Sequence, residues 1–360
     1  MSFINSIGTA VPEYKYRQDE IADFMVNYID GDDRISRMIK ILYAKSAIKQ
    51  RHSVVPDFSM RYANHYLFNG AQANLSKRMQ LFGEEAPELA LKAAINAMHD
   101  VEVKSITHLI TVSCTGMSAP GLEIQLMQKL GLNDDVIRLS VNFMGCYAAF
   151  HALRIADSLC ASDPNARVLI VSVELCSIHF LKDTSDDNLR ANALFADGAA
   201  AAIISAKTRN ENSWEIKKFY SRLMPKGIKD MAWEIGDDAF QMRLTSYIPE
   251  LVKEGVGPLL EGCLNSTGFE KNDIGKWAIH PGGKKILEAV EEVMGLDEHA
   301  LDVPKHVLEN YGNMSSPTIL FVLKELWDNK KQEDDDMIFA AGFGPGLTLE
   351  SCIIEQTAPH

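Results

Sequence analysis

The sequence predicts an α/β protein made of two similar halves, whose layers alternate as α-β-α-β-α. The chain has 360 residues, which exceeds the usual size of one simple domain. The same order of helix and strand signals occurs twice along the chain. Strands alternate with helices in both halves, and this pattern places helices on the faces of sheets. We expect residues 1–208 to form the first half and residues 209–360 the second.

The repeated order of elements begins with a helix in the first half. Residues Pro87–Met98 (PELALKAAINAM) carry apolar side chains at helical spacing, and the apolar strand ITHLITVS follows and ends before Cys114. A short alternating strand, VIRLSV, precedes Gly145 and Cys146, where GCYAAFHALRIADSL predicts a helix of about four turns. RVLIVSVE and GAAAAIIS then predict two paired central strands.

The second half repeats these signals in the same order. Residues Pro249–Leu264 have helical spacing and lead to the strand GKWAI, which ends before His280 and a Pro-Gly-Gly turn. Asn313 comes directly before the helix signal MSSPTILFVLKELW, and DMIFAAGF and LTLESCIIE predict a second pair of central strands. Because His280 corresponds to Cys114, we expect the turns of both halves to meet in one crevice. The junction near residues 206–214 has no Pro- or Ser-rich linker, and the acidic residues 330–336 predict a solvated loop.

Composition and charge exclude several classes of protein. Hydrophobic residues make up 46% of the chain and charged residues 24%, which is typical of a globular enzyme. The net charge of −13, with no stripe of Lys and Arg, argues against binding to nucleic acid. The N-terminal sequence lacks a basic region followed by an apolar one, and no run of about 18 apolar residues occurs. We therefore expect a cytoplasmic protein that does not enter a membrane.

The cysteine and glycine patterns argue against a metal or a nucleotide cofactor. The six cysteines form no CxxC pair, so neither a disulfide framework nor a zinc site is expected. Gly342–Gly346 (GFGPG) lacks the third glycine of the dinucleotide fingerprint and precedes a strand instead of a helix. We interpret it as a tight bend whose missing side chains leave room for something large.

Three residues at the predicted turns could carry chemistry together. Cys146 stands at the start of a helix, where the macrodipole stabilises a thiolate and lowers the pKa of a thiol. His280 follows a strand end and should project into a cleft, and Asn313 occupies the position of a helix cap or left-handed residue. Each has an ordinary structural explanation when taken alone. Together, a nucleophile, an imidazole and an amide donor suit thioester chemistry.

The motifs GCYAAFHALRIA, ALFADGAAAAI, AIHPGG, YGNMSS and GFGPGLTLE resemble those of chalcone-synthase-like type III polyketide synthases, here of bacterial type. Their order and spacing match across nearly the whole chain. The resemblance implies a thiolase-like fold, a homodimer, and no cofactor beyond the coenzyme A thioesters that serve as substrates. These would be malonyl-CoA and an acyl-CoA starter, which are joined to give a pyrone or a resorcinol- or phloroglucinol-type polyketide.

The resemblance also implies roles for the three central residues. Cys146 would hold the growing acyl chain, with His280 as its ion-pair partner. His280 and Asn313 would bind the thioester oxygen of malonyl-CoA and stabilise the enolate that decarboxylation produces.

Further residues are assigned to the substrate cavity or to coenzyme A by the same resemblance. Phe195 matches a gatekeeping phenylalanine, whereas Met242 replaces a second one and Ala119 replaces a longer residue that crosses the dimer interface. Both replacements relax the walls and favour a medium or long fatty acyl starter, while the bulky His179 acts in the opposite direction. The remaining assignments are Cys114, Ser315 and Gly344 to the cavity, and Lys45, Lys49 and Lys285 to coenzyme A.

Two alternatives stay open at this point. A β-ketoacyl synthase of the initiating class, which acts on acyl carrier protein, shares the fold and the Cys-His-Asn set, although HPGG and GFGPG favour the polyketide branch. A non-catalytic thiolase-like scaffold is the other, and the presence of Cys146, His280 and Asn313 together argues against it. A hydroxymethylglutaryl-CoA synthase would need a catalytic glutamate, for which no motif is found.

Overall fold

A computed structural model describes residues 1–59, 66–68, 73–209, 213–265, 267–330 and 337–356. Part of the junction, and all but the first residue of the acidic segment predicted as a solvated loop, lie outside these ranges. The described residues form thirteen strands and ten α-helices.

The strands are β1 (Ser2–Ala10), β2 (Tyr14–Arg17), β3 (Gln50–Ser53), β4 (His108–Ser113), β5 (Ile137–Asn142), β6 (Arg167–Leu175), β7 (Asp197–Ser205), β8 (Trp214–Leu223), β9 (Met231–Ile235), β10 (Phe240–Leu244), β11 (Ile274–Ile279), β12 (Met337–Gly344) and β13 (Thr348–Gln356). The helices are α1 (Gln18–Ile29), α2 (Asp33–Ala44), α3 (Leu75–Ala97), α4 (Leu122–Leu130), α5 (Ala148–Ser162), α6 (Asp186–Leu194), α7 (Ile248–Leu264), α8 (Lys284–Met294), α9 (Asp302–Tyr311) and α10 (Thr318–Asp328).

Nine strands form the central sheet, in the order β11-β12-β13-β8-β1-β7-β6-β4-β5. The order on one side of the β8-β1 junction mirrors the order on the other, so β4, β6 and β7 correspond to β11, β12 and β13. Both predicted pairs of central strands are confirmed, since β6 pairs with β7 and β12 pairs with β13, each antiparallel. The two half-sheets are joined where β1 pairs with β8 over only three residues.

Three hydrophobic cores separate the layers. The middle core contains α5 and α10 between one face of each half-sheet. Side chains that alternate with these along the strands point the other way, into an outer core under α1 to α4 and α6, or into a second outer core under α7 and α8. Alternate burial on both faces of a strand is what a sheet covered by helices requires. The predicted α-β-α-β-α layering is confirmed.

Three helix starts differ from the sequence prediction. Helix α3 begins at Leu75, where the Asn74 side chain caps it, so Pro87 lies inside the helix instead of near its start. Helix α5 begins at Ala148, after a 3-10 turn that contains Cys146. Helix α10 begins at Thr318, several residues beyond Asn313. None of the helices in the described part of the chain is both long and apolar enough to cross a membrane.

Candidate active site

Turns from both halves surround one cavity of about 290 Å³, which is open to solvent on one side. The residues predicted to carry chemistry all line it: Cys146, His280 and Asn313. Seven of the other predicted site residues also line it: Cys114, His179, Phe195, Met242, Ser315, Lys45 and Lys285. The expected meeting of the turns is confirmed, because the residues that follow β4, β11 and β12 line the same cavity: Cys114, His280 and Pro345.

Cys146 lies in the turn between β5 and α5 and is 6% exposed. The preceding residue, Gly145, has φ of +76°, and a Cβ at that position would meet Pro345 at 2.3 Å. Its N–H donates to Cys114 Sγ at 2.9 Å, which fixes the turn. Cys146 Sγ lies 3.6 Å from Ser315 Oγ and 4.0 Å from Asn313 Oδ1.

The carboxamide of Asn313 is held from two sides. Its Oδ1 accepts the N–H of Ser315 at 2.8 Å, and its Nδ2 donates to the Gly282 carbonyl at 3.3 Å. A carboxamide Nδ2 carries two hydrogens, so the second can serve a ligand. Asn313 does not cap α10, whose N-cap residue is Pro317; its backbone instead forms a parallel bridge with Phe195. A cap at the start of α10 therefore does not explain Asn313, and the bridge joins its backbone to that of Phe195.

One of the strained backbone positions lies next to this amide. Ser315 has φ of +58°, a region that residues other than glycine adopt rarely and at a cost of about 1–3 kcal/mol. Gly312 has φ of +72° and lies against the side chain of the buried Arg51, which donates from Nη1 to the carbonyl of Asn192 at 2.9 Å. Such strain persists only where neighbouring contacts hold it.

His280 follows β11, and its N–H donates to the Ala341 carbonyl at 2.8 Å. Neither ring nitrogen has a hydrogen-bond partner among the described residues, although the side chain is buried. Burial lowers the pKa of His280 to about 3. A neutral imidazole whose two nitrogens have no partner in the described residues can accept a proton at one and donate at the other.

The predicted lowering of the Cys146 pKa is wrong. Burial raises the pKa of the thiol to about 12, and hydrogen bonds to Ser315 and Asn313 offset only part of that increase. Burial therefore favours the uncharged forms of both the Cys146 thiol and the His280 imidazole. Desolvation outweighs the helix dipole because the dipole is a partial charge, whereas burial removes the whole hydration of a thiolate.

Three predicted site residues lie outside the cavity. A Cβ on Gly344 would meet the Tyr147 ring at 2.5 Å, and one on Gly342 would meet Phe150 at 2.7 Å. The space beside these two glycines is thus filled by Tyr147 and Phe150, so Gly344 itself does not line the cavity, although its neighbours Phe343 and Pro345 do. Ala119 is exposed and does not line the cavity of its own chain. Lys49 pairs with Glu309 at 2.6 Å, away from the cavity.

Sequence reasoning missed a buried carboxylate next to the site. Glu174, at the end of β6, accepts the N–H of Cys114 at 2.9 Å and the hydroxyl of Thr115 at 2.8 Å, and it also accepts from Ser316. Burial raises its pKa. A single acidic residue at the end of the apolar strand RVLIVSVE was the available signal. Glu174 ties the turn that carries Cys114 to the loop that carries Asn313.

Other lining residues also escaped the sequence analysis. The hairpin of β9 and β10 contributes Met231, Trp233, Phe240 and Leu244, and two further cations, Arg190 and Lys284, lie beside Lys45 and Lys285. In the described part of the chain, no group of three or more His, Cys, Asp or Glu side chains is placed to hold a metal ion.

The architecture and this Cys-His-Asn site are those of the thiolase-like class of proteins. Comparison with known sequences narrows the class. Residues 1–208 match the N-terminal domain of chalcone and stilbene synthases, and residues 215–358 match the C-terminal domain. The chain therefore belongs to the chalcone and stilbene synthase family.

Individual relatives agree with this family. The chain is 32% identical over 365 residues to a protein described as probable polyketide synthase 1 of Dictyostelium discoideum; the match covers 99% of the chain but only 11% of that protein. The crystal structure of the C-terminal type III polyketide synthase domain of Steely1, a type I/III hybrid from Dictyostelium, is 30% identical, with a TM-score of 0.91 and 99% coverage of both chains. PKS-I of the brown alga Ectocarpus siliculosus is 28% identical, with a TM-score of 0.93 and coverage of 99% and 98%.

Proposed function

We propose that the protein is a type III polyketide synthase, which extends an acyl-CoA starter by decarboxylative condensation with malonyl-CoA. The observation that carries the proposal is the arrangement of Cys146, His280 and Asn313 around one cavity in a chain of this family. Lysine and arginine side chains in the cavity lining support coenzyme A as the carrier. The protein as a whole is acidic, so the phosphates of coenzyme A need local positive charge to bind.

The first step of the proposed reaction loads the starter. Cys146 gives its proton to His280, and the thiolate attacks the starter thioester. The departing coenzyme A thiolate takes the proton back from His280 and leaves as the thiol. The two charges arise together in one cavity, so each offsets part of the desolvation of the other. His280 thus serves as the ion-pair partner of the Cys146 thiolate when the thiol reacts.

The second step makes and uses the carbon nucleophile. The thioester oxygen of malonyl-CoA accepts hydrogen bonds from His280 and from the free hydrogen of Asn313 Nδ2. Loss of CO₂ leaves an enolate on that oxygen, and two fixed donors in a buried site stabilise its negative charge. The enolate carbon attacks the acyl group on Cys146, a carbon–carbon bond forms, and the thiolate leaves. No metal or further cofactor takes part in this scheme.

The test is incubation of the purified protein with malonyl-CoA and a panel of acyl-CoA starters, with products identified by mass spectrometry. Cys146→Ala should abolish condensation but keep part of the decarboxylation, because both enolate donors remain. His280→Ala should reduce decarboxylation itself by roughly 100-fold to 1,000-fold. Normal decarboxylation in His280→Ala would contradict the mechanism, and the absence of any condensation product from the wild type would contradict the function. Product formed only from acyl carrier protein thioesters would favour the initiating β-ketoacyl synthase.

The structure supports only part of the argument for a fatty acyl-CoA starter. The expected fatty acyl starter rested on Met242 and Ala119, and only Met242 lines the cavity of its own chain. The same panel decides between fatty and smaller starters. A cytoplasmic location and a bacterial-type origin stay predictions.

We further propose that the protein is a homodimer that buries the outer edge of the sheet. Strand β5 is the last strand of the sheet, and all but one of its residues are exposed, including Ile137 at 55% and Leu139 at 36%. Met117 is 48% exposed and lies two residues before Ala119. An uncovered apolar edge strand favours pairing with another chain. Sedimentation of Leu139→Lys should show a monomer where the wild type is a dimer; a wild-type monomer would contradict the proposal.

A further inference from the structure

His179 uses both of its ring nitrogens to join separate parts of the cavity wall. Its Nε2 lies 2.7 Å from the Thr115 carbonyl, and its Nδ1 accepts the backbone N–H of Phe240 at 3.1 Å. A carbonyl only accepts and an amide N–H only donates, so the ring must be the neutral tautomer with hydrogen on Nε2. Burial lowers the pKa of His179 to about 3, which is consistent with a ring that stays neutral.

Aromatic packing and a third hydrogen bond complete this connection. The His179 ring stacks on Phe240 with centroids 4.4 Å apart and planes at 11°, and it meets Trp233 edge-on at 5.5 Å. Trp233 Nε1 donates to the Cys114 carbonyl at 2.7 Å. Two successive carbonyls of one turn therefore accept hydrogen bonds: that of Cys114 from Trp233 on the β9–β10 hairpin, and that of Thr115 from His179.

The hairpin is held by side-chain contacts and not by the main sheet. Strands β9 and β10 form a two-stranded sheet of their own, apart from the nine-stranded sheet, so its position is set by its packing against α6 and Phe143 and by the contacts of His179 and Trp233. On the hairpin, Met242 pairs with Trp233, and both line the cavity. The backbone on either side of His179 is itself fixed, because the buried Arg78 donates to the carbonyls of Ile178 and Phe180.

We propose that His179 is a positioning residue that fastens the β9–β10 hairpin to the 114–115 turn and thereby limits the length of the acyl chain that Cys146 can hold. The inference rests on the proposed function, since it assumes an acyl group on Cys146. It assigns His179 a role beyond bulk: a side chain of similar size without both hydrogen bonds leaves the hairpin loose and the cavity extensible.

Two variants separate hydrogen bonding from bulk. His179→Phe keeps a stacking ring but removes both hydrogen bonds, whereas His179→Gln keeps a donor and an acceptor but removes the ring. Hydrogen exchange of the β9–β10 amides should be about tenfold faster in His179→Phe, the order expected for the loss of a buried hydrogen bond, and close to wild type in His179→Gln. Trp233→Phe, which removes the hydrogen bond to Cys114 alone, should accelerate the same amides if His179→Phe does not fold.

The functional readout is the acyl-enzyme, measured by intact-protein mass spectrometry with acyl-CoA thioesters from acetyl to palmitoyl. In His179→Phe the rate of acylation by the longest accepted chain, relative to acetyl, should rise about tenfold, the gain from burying about two more methylene groups. Unchanged exchange in His179→Phe and Trp233→Phe would overturn the fastening, and faster exchange with an unchanged chain-length limit would overturn the role in selection. Acylation of the wild type without any carbon–carbon bond formation would instead refute the proposed function, while the chain-length limit still decides the role of His179.

Discussion

The neutral, buried state of His280 makes the free energy of unfolding depend on pH in a predictable direction. The pKa of His280 is lowered by burial to about 3 from 6.5. Between these two values the unfolded chain binds a proton that the folded chain does not, so the folded state loses stability as pH falls. Lowering the pH from about 7 to about 5 should cost the folded protein about 2 kcal/mol through this one residue.

The measurement compares urea unfolding of the wild type and His280→Gln at both pH values and one protein concentration. Other buried groups titrate in the same range: His179 acts in the same direction, and Asp197, whose pKa burial raises to about 6, acts in the opposite one. These contributions are the same in both proteins and cancel when the two are compared. The loss of unfolding free energy between pH 7 and pH 5 should therefore be about 2 kcal/mol smaller in His280→Gln than in the wild type. His299→Gln, at an exposed histidine, is the matched control and should behave as the wild type. An equal pH dependence in His280→Gln and the wild type would refute the assignment of a neutral, desolvated imidazole.

Three further predictions follow from the site. Because the imidazole donor is already neutral, malonyl-CoA decarboxylation by Cys146→Ala should stay level from about pH 5.5 to 8, and a step near pH 6.5 in its rate profile would contradict this. Reversing the charges at Lys45 and Lys285 together should raise the KM for malonyl-CoA with little change in kcat, whereas Lys49→Glu, outside the cavity, should change neither in steady-state assays. Gly344→Ala should lower the free energy of unfolding by about 1–3 kcal/mol and reduce condensation, because the new methyl group meets a tyrosine ring and lies 3.3 Å from the nucleophile's backbone nitrogen; normal stability and normal product yield together would contradict that packing.

The site residues that could be predicted from sequence lie at the ends of strands, which local sequence patterns locate. Cys146 follows a predicted strand and Gly145, and His280 lies between a predicted strand and a Pro-Gly-Gly turn. Such positions can be located without knowing the tertiary structure. The duplicated order of strands then places the turns at one edge, because equivalent strands end at equivalent places. Layering and strand pairing were predictable for the same reason.

What could not be predicted depends on which atoms become buried together. The sequence predicts that Cys146 begins a helix, but desolvation has the largest effect on the pKa of its thiol, and burial cannot be derived from the local sequence. The missing side chain of Gly344 suggests room beside the bend. That room is filled by the ring of Tyr147, which lies in the turn before α5, about two hundred positions earlier in the chain. The contacts of His179 with Thr115 and Phe240 likewise join three distant segments.

The narrow junction between the half-sheets has a consequence for how reactivity develops during folding. Cys146 and Asn313 are 167 positions apart in sequence, and they belong to halves whose sheets share only the three-residue pairing of β1 with β8. A chain leaving the ribosome therefore contains Cys146 long before Asn313 has been synthesised. Under the proposed mechanism, His280 and Asn313 join Cys146 only when the halves dock, so condensation waits for the complete cavity.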